Sequence, residues 1–450
     1  MVESNKTEDL TSEFTNEINK ELKDDSDTNF IKPKIDILDI QNVVEESDLI
    51  AKETWEDLLI KDEIQKGLLE MNYTKPSKIQ AISIALLNKT KKKPLIAQSN
   101  NGSGKTASFG IPAVSRVDES INSVQVIIFE HTREMVNHTV NLLTKIAKYT
   151  KVRVAGLLTD KVNNNTDEIP HICVSTPKTF ETVFLKRKTF KLNLLAMLIL
   201  DEADYMLTND LTRAISKKFF EMLNQSENKV QVLFFSATFN KENFVFISQY
   251  FKKTMTIEKQ KETLTLKTVQ QMYIKAKDSE DKINLLEEYL KSNFGNERVI
   301  IFVNSRNNTQ ALTSSLRTKG YQAYLLMGGD MDPSERDKTI EKFHNGEIQI
   351  LITTNLLARG FDEKLVKLVI NFEIPVMKNE SNQYSVDYET YLHRIGRTGR
   401  FGVNGIGLTL VDNRDYKYIK EIETFYNCVI EEITDMDKLI TEFKKLLTEY

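Results

Sequence analysis

The sequence has few of the residues that build disulfide frameworks or structural zinc sites. Its 450 residues include only two cysteines, Cys173 and Cys428, which lie far apart and belong to no metal-ligand pattern. We therefore expect a reducing compartment and no structural zinc. The sequon at 164–166 is accordingly not expected to carry a glycan.

Long apolar runs and a strong charge of one sign are also missing. No apolar run approaches the roughly 20 residues of a membrane helix, and the N-terminus MVESNKTEDL lacks the pattern of a secretory signal. We therefore expect no membrane contact. The net charge is −4, from 61 basic and 65 acidic residues. Bulk charge thus does not indicate nucleic-acid binding, although an acidic protein can carry a local basic channel.

The residues that are present describe a globular protein of about two domains. Hydrophobic residues make up 40% and charged residues 28% of the chain, and 450 residues suit two domains of about 150 each plus extensions. Residues 1–51 are polar and mostly acidic, so they predict a largely disordered N-terminal extension. This extension is either a solubilising tail or a regulatory or partner-binding arm.

Short apolar runs alternate with amphipathic helical segments over residues 52–257. The predicted strands are Pro94–Ala97, Val126–Phe129, Ile172–Ser175, Met197–Leu200 and Val232–Phe235. Helices are predicted between them, as over Glu134–Tyr149 and Leu211–Leu223. Continuous apolar runs are typical of strands buried on both faces of a parallel sheet, so this part predicts an α/β domain.

A polar stretch, 258–268, is predicted to be a linker between this domain and a second one. The alternation resumes over 269–450, with predicted strands at Val299–Val303, Ile348–Thr353, Leu368–Phe372 and Gly407–Val411. The fold class is therefore α/β, with two tandem domains. The cleft between them is the natural place for a ligand.

The run AQSNNGSGKT, Ala97 to Thr106, predicts a phosphate-binding loop between a strand and a helix. Its glycines let backbone N–H groups surround phosphate oxygens, while the lysine reaches the β- and γ-phosphates and the last hydroxyl suits Mg²⁺. An ordinary turn is the alternative interpretation. The predicted ATP-binding residues here are Ser99, Asn100, Asn101, Gly102, Ser103, Gly104, Lys105 and Thr106.

The run DEAD, 201–204, follows an apolar strand and predicts the catalytic acids. Asp201 would hold Mg²⁺ through water and Glu202 would act as general base on the attacking water. The alternative is a solvated acidic turn. Ser236 and Thr238 of the run SAT follow another strand and are predicted, with Asp204, to couple the two domains.

The second domain carries HRIGRTGR, 393–400, a loop of closely spaced arginines. Arg397 and Arg400 are predicted to complete the γ-phosphate site as arginine fingers. A basic loop that binds RNA or an acid is the alternative. From the run ARGFD, Gly360 and Asp362 are predicted to contact ATP, the carboxylate through a ribose hydroxyl.

Taken together, these motifs resemble the DEAD-box RNA helicases over residues 52–430, in order and at family spacing. The resemblance implies two RecA-like domains and an RNA-stimulated ATPase that uses ATP and Mg²⁺. In the segment NYTKPSKIQ it implies that Gln80 bonds adenine and Tyr73 stacks on it, with Trp55 at the upstream aromatic position. His393 and Arg394 would couple the two domains.

The same resemblance implies contacts to RNA at the ends of several strands. The implied residues are Arg133, Thr176, Pro177, Arg306, Gly329 and Thr353. Two positions depart from the family pattern: His131 replaces a proline and Lys178 replaces a glycine. A site that contacts mainly phosphates and riboses has little sequence preference.

Several strings, among them KPSKIQ, FFSATF and DYETYLHRIGRTGRFG, resemble the branch that acts in mRNA export. That branch implies mRNA or other single-stranded RNA as substrate, a nucleoporin and an inositol-hexakisphosphate-bound pore activator as partners, and a place in cytoplasm and nucleus at the cytoplasmic face of the nuclear pore. We expect the protein to act as a monomer. The alternatives are a translation-initiation-type helicase, an ATP-gated RNA clamp with little turnover, and a DNA helicase.

Overall fold

The fold is described by a computed structural model of the chain. It describes residues 54–99, 104–157, 169–185, 192–257, 268–293, 298–328, 331–355, 366–378, 383–399, 404–434 and 436–448. The predicted extension at 1–51 and most of the predicted linker lie outside these ranges. No helix in the described ranges combines the length and apolar character that a membrane span requires.

The first unit, described residues 54–257, is built on a parallel sheet. Seven described strands form it in the order β3-β4-β2-β5-β6-β1-β7. Their bounds are β1 Leu95–Gln98, β2 Val126–Phe129, β3 Val154–Leu157, β4 Ile172–Ser175, β5 Met197–Asp201, β6 Gln231–Ser236 and β7 Met255–Ile257. Every neighbouring pair is parallel, as the continuous apolar runs predict.

Helices cover this sheet. Their bounds are α1 Asp62–Glu70, α2 Lys78–Lys89, α3 Lys105–Arg116, α4 Arg133–Ile146, α5 Pro177–Phe180, α6 Ala203–Thr208, α7 Asp210–Gln225 and α8 Lys241–Tyr250. Alternate strand residues enter opposite cores, since Val126 and Ile128 pack in one cluster and Ile127 and Phe129 in another. This is the side-chain alternation of a strand with a hydrophobic layer on each face.

The second unit, described residues 268–448, repeats the same sheet order. Seven described strands run β10-β11-β9-β12-β15-β8-β16, which matches the first sheet strand for strand. Their bounds are β8 Val269–Lys275, β9 Arg298–Phe302, β10 Ala323–Leu326, β11 Ile350–Thr353, β12 Val366–Asn371, β15 Gly405–Val411 and β16 Glu431–Ile433. The prediction of two α/β units with parallel sheets is confirmed.

The remaining elements of the second unit are its helices and one antiparallel hairpin. The hairpin pairs β13 Val376–Lys378 with β14 Tyr384–Val386. The helices are α9 Ser279–Asn293, α10 Arg306–Thr318, α11 Pro333–His344, α12 Tyr388–Ile395, α13 Tyr416–Tyr426 and α14 Met436–Thr448.

Strand order brings three chain segments of the first unit to one edge. Strands β1, β6 and β5 are consecutive neighbours, with Gln98 opposite Ser236 and Asp201 opposite Phe235. Because parallel strands end at the same edge, the segments that follow them meet there. This edge is where the predicted phosphate loop, SAT and DEAD segments lie.

Candidate active site

The segments that leave β1 and β6 are tied together by backbone and amide hydrogen bonds. The Ser99 N–H donates to the Ser236 carbonyl at 3.0 Å, and the Gln98 side-chain amide donates to the Ala237 carbonyl at 3.1 Å. Ser99 and Ser236 are both buried. The start of the predicted phosphate loop, at Gln98 and Ser99, is therefore joined to the SAT segment as one floor.

Lys105 lies buried at the start of α3, beside this floor. Its Nζ donates to the Ser99 carbonyl at 3.1 Å. Burial lowers the pKa of Lys105, while the nearby charges of Glu202 and Asp201 act in the opposite direction. The predicted loop residues 100–103 lie outside the described residues, so the structure describes the two ends of that loop.

Gly104 caps α3 in a conformation that a larger residue does not readily adopt. Its φ is +91°, in the left-handed region that favours glycine. A Cβ at this position would also collide with the side-chain amide of Gln80. A glycine is therefore required where the loop turns into the helix.

The acidic motif stands at the end of β5, facing the lysine. Asp201 is the last strand residue and Glu202 adopts a left-handed conformation with φ 50° and ψ 47°, a strained geometry often found at functional sites. The Glu202 N–H donates to Asp201 Oδ1 at 3.0 Å. Burial raises the pKa of Asp201 to about 7, with the neighbouring Glu202 adding to the effect and Lys105 opposing it.

The third acid, Asp204, is contacted from both units. The Thr238 hydroxyl donates to Asp204 Oδ2 at 2.7 Å. From the second unit, His393 Nε2 lies 3.8 Å from Asp204 Oδ2 and 3.8 Å from Glu202 Oε2. All of these carboxylates and the imidazole are buried. The predicted coupling residues Asp204, Thr238 and His393 are thus brought together, while Ser236 forms the floor beneath them.

Arg397 brings a second charge of the second unit to this site. Its side chain is buried, and its Nε donates to the His393 carbonyl at 3.0 Å. After burial, the Arg397 charge also contributes to the lowered pKa of Lys105, so the two cations repel each other across the junction. An anion with several charges placed between them would relieve this repulsion. Arg400, the other predicted finger, lies outside the described residues, as do Gly360 and Asp362.

Arg394, predicted to couple the two units, is bonded within the second unit in this arrangement. Its buried guanidinium donates to Asn304 Oδ1 at 2.8 Å, to Asn355 Oδ1 at 2.6 Å and to the Glu373 carbonyl at 2.8 Å. All of these partners belong to the second unit. Burial lowers the pKa of Arg394 to about 9. Arg394 therefore anchors α12 on its own sheet, and that anchoring holds His393 and Arg397 in place.

The predicted adenine segment lies against the phosphate loop. Gln80 accepts from the Ser77 N–H at 2.8 Å and donates to the Gly104 carbonyl at 3.3 Å, so its amide links this segment to the start of α3. Tyr73 is half-buried beside the core. Trp55, predicted to contact ATP, is only 2% exposed, and its Nε1 donates to the Tyr73 carbonyl at 2.7 Å. Trp55 therefore positions the backbone of Tyr73, and its ring offers no open face to adenine.

The donor set at this site suits a hard divalent cation. Asp201 supplies a buried carboxylate whose charged form a cation would favour, and Thr106 supplies a half-buried hydroxyl on the first turn of α3. Oxygen ligands of this kind, together with phosphates and water, are those that Mg²⁺ prefers. The residues present fit the predicted metal.

The predicted RNA contacts lie at the ends of other strands and differ in accessibility. Arg306 is exposed at the start of α10, and Thr176 caps α5 by accepting from the Thr179 N–H at 3.2 Å, with Pro177 as its first residue. Gly329 lies outside the described residues.

Two of these predicted contacts already have partners within the protein. Thr353 is fully buried, and its hydroxyl donates to the Leu326 carbonyl at 2.8 Å. Arg133 forms an ion pair with Asp337 of the second unit at 3.1 Å. These groups are already bonded within the protein, so as RNA ligands they would have to exchange partners.

Sequence analysis did not identify the residues of the second unit that form ion pairs with α4. Arg336 pairs with Glu134 at 2.5 Å. A single sequence carries no signal for an ion pair between helices about 200 residues apart. Sequence analysis also did not single out Glu130. This acidic residue directly follows the apolar strand β2, just as Asp201 follows the apolar run of β5.

Comparison with known proteins also indicates a helicase, and the matches extend along the chain. The chain matches the DEAD/DEAH box helicase family over residues 77–245 and the helicase conserved C-terminal domain over 281–402. It is 32% identical over 459 residues to "ATP-dependent RNA helicase DBP5" of Candida glabrata, a match that covers 100% of this chain and 88% of that protein.

Solved structures of one relative also indicate the arrangement of the units. The chain resembles S. cerevisiae Dbp5 bound to RNA and ADP BeF3, with a TM-score of 0.81, 30% identity and coverage of 88% of this chain and 99% of that chain. Against a variant of the same yeast protein bound to Nup159, a Gle1 variant, IP6 and ADP, the TM-score is 0.61, with 28% identity and coverage of 86% and 100%. Of these two structures, the one bound to RNA and ADP BeF3 gives the higher TM-score. By its motifs, its fold and these relatives, the chain belongs to the DEAD-box family of ATP-dependent RNA helicases.

Proposed function

We propose that this helicase hydrolyses ATP at the junction of its two units and uses closure of that junction to bend or release RNA, in mRNA export. The observation that carries the proposal is the meeting of His393 and Arg397 with Glu202, Asp204 and Lys105. Each unit alone holds half of this charge arrangement. ATP hydrolysis therefore depends on closure, and ligands that favour the closed state stimulate it.

Each residue of the site has a distinct role in phosphate binding or in hydrolysis. Lys105 and the N-terminus of α3 bind the phosphates, while Glu202 accepts a proton from the attacking water. Arg397 stabilises the charge that develops on the transferred phosphoryl group. Mg²⁺, held by Thr106 and through water by Asp201, would neutralise phosphate charge when bound. Arg400, Gly360 and Asp362 remain predicted contacts.

RNA is proposed to bridge the two units along the strand ends that carry Thr176 and Arg306. Contacts to phosphate and ribose position a strand without reading its sequence. A strand bent by closure cannot continue as a regular duplex, so local strand separation or protein displacement follows. We assign the units to 52–257 and 269–450 as the parts that move.

The cellular setting is proposed from the relatives. Dbp5 of S. cerevisiae forms complexes with RNA, with Nup159 and with Gle1 and IP6. We propose that this chain binds mRNA, a nucleoporin and an inositol-hexakisphosphate-bound activator of these kinds, at the cytoplasmic face of the nuclear pore, and shuttles between nucleus and cytoplasm.

The decisive experiment measures phosphate release with and without RNA. The wild-type protein should release phosphate faster with an oligoribonucleotide than with the matching oligodeoxyribonucleotide, since only RNA offers the 2′-OH. Glu202→Gln should bind ATP and RNA but lose about 10²–10⁴-fold in turnover. Negligible turnover by the wild type would favour an RNA clamp, and stimulation by DNA would favour a DNA translocase.

A second measurement tests the cellular assignment. A Gle1-type activator with inositol hexakisphosphate should raise the RNA-stimulated rate of phosphate release. An unchanged rate would favour a translation-initiation-type helicase and leave the catalytic proposal intact.

A further inference from the structure

A cluster of lysines lies on the first unit, at the edge of the sheet opposite the nucleotide site. Strands β6, β1 and β7 are parallel neighbours, so the segments that lead into them, 226–230, 88–94 and 252–254, meet at this opposite edge. These segments carry seven exposed lysines and one exposed acid, Glu227. The lysines, which we call the distal lysine patch, are Lys89, Lys91, Lys92, Lys93, Lys229, Lys252 and Lys253.

The backbone beneath the patch is held by a buried amide. Gln231, the first residue of β6, is fully buried, and its Nε2 donates to the Thr90 carbonyl and, at 2.9 Å, to the Lys93 carbonyl. Its Oε1 accepts from Arg116 Nη2 at 3.1 Å, and Arg116 Nη1 donates to the Lys91 carbonyl at 3.0 Å. The segment between α2 and β1 is therefore fixed in place while its lysine side chains are exposed.

The positive charge of the patch is not balanced by the part of the chain that the structure describes. Within those residues, none of the seven lysines forms an ion pair or a side-chain hydrogen bond. Like charges on neighbouring strands, which lie about 4.8 Å apart, repel one another. A ligand with several negative charges would relieve that repulsion, so the patch has the chemistry of a polyanion site.

The composition of the patch favours RNA as this polyanion. The three segments contain no aromatic residue and no arginine, so they recognise charge and do not stack on bases or fork onto them. The acidic extension is the other polyanion of the system. Residues 1–51 include 14 acids and 5 bases, a net nine negative charges on 51 residues, whereas RNA carries one charge on every nucleotide. The denser charge suits a compact group of lysines better.

We propose that the distal lysine patch is a second RNA-binding site, which holds phosphates of the RNA that flanks the cleft, whichever nucleotide is bound. All seven lysines belong to the first unit, so closure neither forms nor breaks this site. Flanking RNA is tethered to the strand in the cleft and therefore meets the patch at a high effective concentration. The inference rests on the proposed function, because it takes RNA as the ligand, and it gives the enzyme a hold on the same RNA after the cleft opens.

The distance between the two sites sets the length of RNA that can use both. Thr176 follows β4, which lies four strands from β1 in the sheet, and the patch is at the opposite edge. With about 4.8 Å between strands and about 3.3 Å per strand residue, the path over the surface is roughly 30–40 Å. At about 3.4 Å per nucleotide, the flanking RNA must therefore add about 10 nucleotides or more to the strand held in the cleft.

The test compares an oligouridylate of about 10 nucleotides with one of about 40, which alone can reach both sites. The full chain carries the triple substitution Lys91→Gln, Lys92→Gln and Lys93→Gln. For RNA-stimulated phosphate release, the half-saturating concentration of the long RNA should rise about tenfold, while that of the short RNA and the rate at saturation stay within about twofold of wild type. Without nucleotide, anisotropy titrations of the long RNA should show a plot of log affinity against log salt that is shallower by about 2.

The matched control removes three charges from exposed positions on other faces, with Lys66→Gln, Lys145→Gln and Lys277→Gln. It should behave as wild type with both RNAs. Equal losses for the two RNA lengths would show a general effect of charge, and an unchanged affinity for the long RNA would return the patch to the acidic extension or to solvent; either result overturns the proposal. A wild-type protein without RNA-stimulated phosphate release would instead overturn the proposed function, and nucleotide-free binding of the long RNA would still test the patch.

Discussion

At the scale of single residues, Arg397 is the sharpest test of the shared nucleotide site. It is the described arginine of the second unit whose charge reaches Lys105, and it is fixed by its bond to the His393 carbonyl. We expect Arg397→Ala to lower RNA-stimulated turnover by about 10³–10⁵-fold, as for other arginine fingers. Arg397→Lys should recover little, because a point charge does not reproduce the guanidinium fork.

Phosphate release at saturating ATP and RNA measures this effect. ATP binding to the first unit, followed with a fluorescent nucleotide, is the control and should change little. If Arg397→Ala turned over at the wild-type rate, the second unit would have no part in the reaction.

A second residue, Glu130, should give the stability of the protein a distinctive pH dependence. Its carboxyl is fully buried, and it accepts a hydrogen bond from the Thr139 hydroxyl at 2.6 Å. Burial raises the pKa of Glu130 well above its usual range, and the charge of Asp201 adds to the effect. The folded protein therefore holds this proton at pH values where the unfolded chain has lost it, and stability falls as the pH rises above the unfolded value.

Glu130→Gln keeps a neutral amide at this position and removes the titration. Its free energy of unfolding should exceed that of wild type by a margin that grows as the pH rises above the unfolded pKa of a glutamate, at no more than about 1.4 kcal/mol per pH unit. Urea unfolding without divalent cations, at several pH values, measures the margin. Glu227→Gln, at an exposed position, should show a constant difference, and parallel curves for both variants would refute the assignment.

At the scale of secondary structure, the sequence predicts interior strands better than edge strands. Strands β2 and β4 were predicted with their observed bounds, because a strand covered on both faces is a continuous apolar run. The four edge strands, β3, β7, β10 and β16, were missed. Each has three or four residues, and β3 is half-buried at every position. An edge strand has a neighbour on one side only and is covered less completely, so its sequence carries a weaker apolar pattern.

Helix packing in the first unit depends on a glycine that the sequence alone did not distinguish. A Cβ at Gly67 in α1 would lie 2.7 Å from the Ile146 carbonyl oxygen and 2.8 Å from the Lys145 carbonyl oxygen. Both are backbone atoms at the end of α4, so they cannot swing away. We expect Gly67→Ala to destabilise the first unit by about 1–3 kcal/mol, despite the higher helix propensity of alanine.

Urea unfolding monitored by circular dichroism measures this loss. Lys66→Ala, at the exposed neighbouring position on the same helix, should change stability by no more than about 0.5 kcal/mol. A Gly67→Ala protein as stable as wild type would mean that α1 can move away from α4 at little cost.

At the scale of the whole molecule, the sequence predicts the two halves of the site and the motifs that meet, but not the individual contacts across the junction. The phosphate loop and the DEAD segment were predicted because each follows a buried strand, where local pattern and function coincide. The bonds of Arg394 within its own unit could not be predicted, because the motif shows that arginines are close together without showing which sheet each one faces. The ion pair between Arg336 and Glu134 was missed because it joins residues about 200 positions apart, and its geometry exists only when the units come together.

The closed arrangement implies reciprocal coupling between ATP and RNA. If each ligand binds a half-site and both favour closure, the factor by which RNA tightens nucleotide binding must equal the factor by which nucleotide tightens RNA binding. His393 Nε2 of the second unit lies 3.8 Å from carboxylate oxygens of Asp204 and Glu202 in the first unit. His393 is not among the proposed ATP-binding or RNA-binding residues. We therefore expect His393→Ala to reduce both factors equally, from a wild-type coupling of about 5–150-fold towards one, while binding of each ligand alone stays within about twofold. Fluorescence titrations of a non-hydrolysable nucleotide with and without oligouridylate, and the converse titrations, give both factors; a loss confined to one of them would show that His393 serves one ligand site and does not transmit closure.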